Sequence, residues 1–339
     1  NSDAVTIAAA ADMTLAGAFD QSGGGAVTTS GDITTTAAAI HFTDAVTLAS
    51  DVALTSADGA ITIDSTIDGE QALTLVAGAG DITLSGAVGG TTRLGIFTIT
   101  SAEDVTADAI TASNIVQTDA TGTATYGALD TDAVAGISLT GGVITLNSTV
   151  TTANAGTVTI ENSDALTIAG AMTLDGALDQ HGSGSVTLSA DITTTGDAVE
   201  FSGAVALGAD VEITTADGAI TFDSTIDGAN ALTLVAGAGD ITLDGVVGSG
   251  ARLGVFTITS GAAVTTDSIT AASIVQTDAT GTATYGSLDT DAAAGISLTG
   301  AGFAFTGAIT TTESGAFTRS EEHTSELQSP CNLVCRLLL

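Results

Sequence analysis

The chain repeats itself at a fixed interval of 159 residues. Asp58-Gly-Ala-Ile-Thr-Ile-Asp-Ser-Thr-Ile-Asp-Gly69 returns as Asp217-Gly-Ala-Ile-Thr-Phe-Asp-Ser-Thr-Ile-Asp-Gly228, Arg93 returns as Arg252, and Tyr126 as Tyr285. Repetition on this scale marks solenoids, propellers and domain arrays, so it narrows the architecture before any motif does. The first copy spans 1–161 and the second, continuous with it, spans 162–318. Two copies are a floor, and the expectation is a piece of a longer protein without its targeting signals.

The remaining stretch, 319–339, is of a different kind. It reads RSEEHTSELQSPCNLVCRLLL and holds the only proline, Pro330, and both cysteines, Cys331 and Cys335. Arg319 to Ser329 match one reading frame of a common short-read sequencing adapter, and Asn332 to Leu339 match its continuation. We read this tail as translated adapter, outside the fold and disordered.

Without the tail, 36 acidic residues face two arginines, and there is no Lys, Trp, Cys or Pro. Nucleic acid binding needs clustered Lys and Arg, and one arginine per copy cannot supply that. Anionic membrane surfaces are disfavoured for the same reason, and no apolar run is long enough to span a bilayer. Thiol chemistry has no residue to work with. Such acidity is not a sign of disorder here, because Val, Ile, Leu and Ala are abundant and regularly placed.

The regular unit is apolar–Thr–apolar, as in Val46-Thr47-Leu48, Ile61-Thr62-Ile63, Leu73-Thr74-Leu75 and Ile82-Thr83-Leu84. A period of two puts both apolar side chains on one face and Thr on the other, so each unit is a short strand. Clusters such as Ala77-Gly-Ala-Gly-Asp81 separate them. Gly there supplies positive φ and Asp bonds its own local backbone, so these are turns. Strands and turns group into lines of about 20–22 residues: 52–71, 72–93, 94–113, 114–134 and 135–155. That is one coil of an all-β, parallel β-helix, right-handed by the crossover rule, with helix content near zero. Seven or eight coils make one copy, and some fifteen make a rod of about 70 Å at the ~4.8 Å strand spacing. A narrow interior filled by small and branched residues accounts for the scarcity of aromatics. The competing fold, a string of antiparallel sandwiches, needs longer strands and a core Trp or Tyr.

The blocks ALTLVAGAGDITLSGAVGGTTRLGIFTITSA (72–102) and ALTLVAGAGDITLDGVVGSGARLGVFTITSG (231–261) resemble the repeats of very large bacterial surface proteins. These are the filamentous-haemagglutinin-like and autotransporter-passenger adhesins. The resemblance covers nearly all of 1–318 and implies a secreted or outer-surface stalk that projects, spaces or adheres. Its partners would be neighbouring repeats and host or other cell-surface molecules. The family motif is a structural repeat, so it brings no functional residues with it.

Candidate chemistry is sparse. Asp119, Asp130 and Asp132 recur as Asp278, Asp289 and Asp291, and an Asp-x-Asp pair offers oxygens to calcium, although turn formation explains them too. His41 has Glu200 at its place in the second copy, and His181 has Ser22 in the first, so no histidine site is repeated. His41 lies between Ile40 and Phe42, at the outward position of an alternating strand. Two function classes stand beside the stalk. A carbohydrate-active β-helix enzyme would show carboxylates or arginines clustered in a groove, whereas a stalk would show them dispersed. A Thr-rich ice-binding solenoid would show Thr at a fixed place in every coil, and runs such as Thr98-Ile-Thr100 and Thr121-Gly-Thr123-Ala-Thr125 do not suggest this. The expectation is therefore a non-catalytic rod without a cofactor.

Overall fold

The computed structural model describes residues 3–321, and there the chain is strand and turn with no helix. Most strands are three or four residues long, and they pair in parallel with strands one coil away. Three ladders run along the rod. The first starts at Val5–Ile7, the second at Met13–Leu15 and the third at Phe19–Gln21. Each coil contributes a strand, or at Val88 and Val247 a single bridging residue, to each ladder, and the next coil stacks on it in register. In the second ladder Val52, Leu73, Phe97, Ile115, Ile137 and Val158 follow one another. The fold is thus the expected parallel β-solenoid, about fifteen coils of about 21 residues. The antiparallel sandwich is excluded.

Alternation produces the core directly. Ile61–Ile63 and Ile82–Leu84 bury both apolar ends and leave the central Thr half-exposed. The inward residues form continuous files. One runs in the third ladder from Phe19 and Ile40 through Ile61, Ile82 and Val105 to Leu288 without losing register, and Ile309 on the last coil keeps the register but is exposed. Each fully buried Val, Leu or Ile contributes about 1.5–3 kcal/mol, so a coil is held mainly by its neighbours' aliphatic side chains. Corners depend on glycine where coils come closest. Gly78 has φ +63°, and a Cβ there would sit 2.0 Å from the carbonyl oxygen of Ala57 on the preceding coil.

Two expectations need correction. Aromatics are few, yet they are core residues: Phe42, Phe97, Phe201, Phe222, Phe256, Tyr126 and Tyr285 are fully buried. The interior takes a ring on successive coils, as where Phe201 stacks on Phe222 with ring centroids 5.2 Å apart. The tail also enters the fold for three residues. The last strand, Phe317–Glu321, continues past Thr318, and Arg319, Ser320 and Glu321 pair with Leu298, Thr299 and Gly300. The open edge of a final coil presents unpaired N–H and C=O groups that template whatever chain follows. The rest of the tail, 322–339, lies outside the described residues.

Candidate functional site

A groove of about 550 Å³ lies where the second ladder turns a corner. Four successive coils line it with Asp119–Thr121, Thr140–Gly142, Glu161–Ser163 and His181–Ser183. Gly182 packs tightly on the coil before it, since a Cβ there would sit 2.1 Å from the carbonyl oxygen of Asn162. Its floor is a closed amide network. The Asn162 amide donates to the Asp164 carbonyl at 2.8 Å, and Gln180 Nε2 donates to Asn162 Oδ1 at 2.8 Å and to the Gly182 carbonyl at 3.0 Å. Gln180 Oε1 accepts from the Gly203 N–H at 3.0 Å. On the rim, His181 lies 3.4 Å from Asp179 and 3.9 Å from Glu161. Asp119 and Glu161 stand on coils two apart, about 10 Å along the axis at the strand spacing. No Phe, Tyr or Trp lines the groove to stack on a sugar.

The calcium candidates separate into two groups. Asp119 belongs to this groove, and Asp278 is its counterpart in the second copy. Asp130 and Asp132 lie elsewhere, at the end of the first-ladder strand Leu129–Thr131, and an arginine holds them. Arg93 Nη2 donates to Asp130 Oδ1 at 3.0 Å, and its Nε lies 3.2 Å from Asp132 Oδ2. Nη1 donates to the carbonyls of Ala112 at 2.8 Å and Asp130 at 3.0 Å. One side chain thus fastens three successive coils. Arg252 does the same, with Nη2 2.5 Å from Asp289, Nε 3.2 Å from Asp291 and Nη1 bonded to the Ala271 and Asp289 carbonyls at 2.8 and 3.0 Å. Among the described residues, no three His, Cys, Asp or Glu side chains gather as a metal ion requires.

The local role expected for Asp also changes. The carboxylates of Asp32, Asp51, Asp58 and Asp81 accept N–H groups from Ala53, Ala72, Ala79 and Asp104, each on the following coil. Copy two repeats the pattern, with Asp191, Asp210, Asp217 and Asp240 accepting from Glu212, Ala231, Ala238 and Ala263. At a corner or in the first residues of a strand, a carboxylate from the coil below satisfies an N–H that the ladder leaves over. Asp175 reaches the other way, to the Ala155 N–H at 2.9 Å, and that bond with the Thr195 hydroxyl lowers its pKa from 3.8.

His41 is half-exposed on its strand, as its outward position predicts, with Asp64 at 2.9 Å and Asp20 at 3.4 Å. The Asp64 hydrogen bond raises its pKa from 6.5, against a smaller opposing effect of burial. Threonine is more ordered than expected. Thr62, Thr83, Thr106, Thr125, Thr145, Thr167 and Thr187 stand in register on seven successive coils of the third ladder. The spacing between them varies from 19 to 23 residues, which hid the file from a search at constant period.

The buried amides escaped the sequence reading altogether. Gln21, Gln117, Gln180 and Gln276 are all buried. The hydroxyls of Tyr126 and Tyr285 donate to Gln117 and Gln276 inside the core. A signal was present: each Gln occupies the inward place of a strand, and each recurs in both copies. Comparison with known proteins returns no matching family model, no similar curated protein and no similar solved structure.

Proposed function

We propose that this chain is a non-catalytic stalk segment of a large secreted or cell-surface bacterial protein, serving to space or project what lies beyond it. The observation behind this reading is the use made of its polar chemistry. Both repeated arginines, a regular series of aspartates and the buried amides all join one coil to another. Coil stacks on coil in parallel from Val5 to Glu321, with only single-residue bridges at Val88 and Val247 and no break in the stack. To test it, the chain is inserted between a membrane anchor and a fluorescent tag on a cell surface. The tag should rise by about 70 Å, the height of some fifteen coils. Unchanged height would refute the spacer, and attachment of the isolated rod to cells would make it an adhesin.

The threonine file favours one second reading, ice binding, since hydroxyls at regular spacing can order water. It is one residue wide, and the residues two places on, Asp64, Ser85 and Asp108, include two acids. Thermal hysteresis at micromolar protein would establish this reading over the spacer, and its absence removes it.

A further inference from the structure

Equivalent residues of the two copies do not share a ladder. Ile61–Ile63 stands in the third ladder, whereas its counterpart Ile220–Phe222 stands in the second. Leu73–Val76 is in the second and Leu232–Val235 in the first. Ile67–Asp68 is in the first and Ile226–Asp227 in the third. Each displacement is one ladder in the same sense. The cause lies in the count of strand positions. Between Ile67 and Ile226 the chain advances 23 places, three to a coil, so one copy is seven and two-thirds coils. The burial pattern of a strand survives the move: Ile61–Ile63 and Ile220–Phe222 both bury their ends and half-expose their centres. A strand of this type therefore does not encode its ladder, and the three sides of the core are interchangeable.

We infer that the repeated surface of this rod winds about its axis, each 159-residue copy turning the same side chains onto the next face. The arginine clamps are its landmarks. Arg93 bridges a second-ladder strand to the first ladder, and Arg252 bridges a first-ladder strand to the third. The threonine file obeys the same rule. It ends at Ala206 in the third ladder, and Thr221, Thr242, Thr265 and Thr284 resume it in the second. In a chain with more copies, three of them, or 23 whole coils, restore every side chain to its starting face. A partner that reads one copy thus meets identical surfaces around the rod. A flat partner cannot touch successive copies in line. This concerns presentation and holds whether the rod spaces, adheres or does neither.

Spin labels test it. Thr98 is followed in register by Val116, Ser138, Thr159, Asp179, Glu200, Thr221, Thr242 and Thr265, so Thr265 lies on its own face eight coils away, about 38 Å. Its repeat equivalent Thr257 pairs with Thr233 in the first ladder, slightly nearer along the axis but round a corner. In a Cys331→Ser, Cys335→Ser background, Thr98→Cys is combined with Thr257→Cys or with Thr265→Cys, and pulsed dipolar spectroscopy gives the two distances. The Thr98–Thr257 distance should be longer by several ångström, despite fewer intervening residues. An equal or shorter distance would show that the copies are in phase and overturn the inference. Circular dichroism of each labelled protein confirms that both pairs are read in the folded rod.

Discussion

The guanidinium of Arg93 holds the carboxylate of Asp130 at 3.0 Å across 37 residues of chain, and Arg252 holds Asp289 in the same way. The same arginine covers two carbonyl groups of different coils, so its removal strands acceptors as well as a charge. Arg93→Ala should cost about 2–3 kcal/mol, read as a lower denaturation midpoint. Lys cannot reproduce a fork that reaches two carbonyls and two carboxylates, so Arg93→Lys should recover less than half of the loss. Arg252→Ala should cost the same, and the two losses should add because the sites are many coils apart. Millimolar calcium should leave the wild-type midpoint unchanged. It should raise that of Arg93→Ala, where the Asp130 and Asp132 pair is released.

What the chain showed of itself in advance depended on range. The strands were legible because an apolar–Thr–apolar triplet has one amphipathic solution, and the coils because such triplets and glycine turns recur every 20–22 residues. The partners of Arg93 and Asp51 were not legible. Each lies 19 to 37 residues away on another coil, and only the register of stacking decides which atoms meet. Gln117 was hidden differently: an amide at an inward position reads as polar surface until Tyr126 is known to face it.

The buried tyrosine–glutamine pairs should behave as core elements. Tyr126→Phe removes the hydroxyl that donates to Gln117 and leaves a buried amide oxygen unpaired, at a cost of about 1–3 kcal/mol. Burial also raises the pKa of both tyrosines far above 10.0. Their protonated form therefore stabilises the fold fully below pH 10.0 and progressively less above it. The chain has no Trp, so phenolate absorbance is unobscured. It should stay silent above pH 10.0 until the rod unfolds, and then both tyrosines should ionise together.

His41 should give the rod a small dependence on pH near neutrality. Its pKa is raised above 6.5, so the protonated ring's contact with Asp64 and Asp20 is fully present below pH 6.5. That contribution is lost as the pH rises through the folded value. Asp175 acts in the opposite sense: its pKa is lowered, so its contribution is full above pH 3.8 and lost as the pH falls through its folded value. Between pH 5.5 and 8 the melting temperature of wild type should fall relative to that of His41→Gln. Parallel curves would refute the ion pair.

Thr131 presents the reverse case, a polar group that the fold does not use. It points inward between Asp130 and Asp132, is fully buried, and its hydroxyl has no hydrogen-bond partner; Thr290 repeats the situation. Valine has the same shape without the hydroxyl. Thr131→Val and Thr290→Val should each stabilise by about 1 kcal/mol, since the cost of burying an unpaired hydroxyl is removed. A loss of stability on replacement would show that the hydroxyl has a partner after all.

The aspartate brackets separate hydrogen bonding from charge, because asparagine keeps the acceptor and discards the charge. Asp51 accepts the Ala72 N–H at 2.9 Å, and Asp32 performs the same task one coil below for Ala53 at 2.8 Å. The two carboxylates stand in a column on a chain of net charge −35, so they repel one another while each fastens a coil. Asp51→Ala should destabilise by about 1 kcal/mol, having lost the bracket. Asp51→Asn should be neutral or stabilising at low salt, and this advantage should shrink as salt screens the column. If both substitutions destabilised equally, the carboxylate's charge rather than its acceptor oxygen would be holding the corner. If neither did, water would be serving the Ala72 N–H as well as Asp51 does.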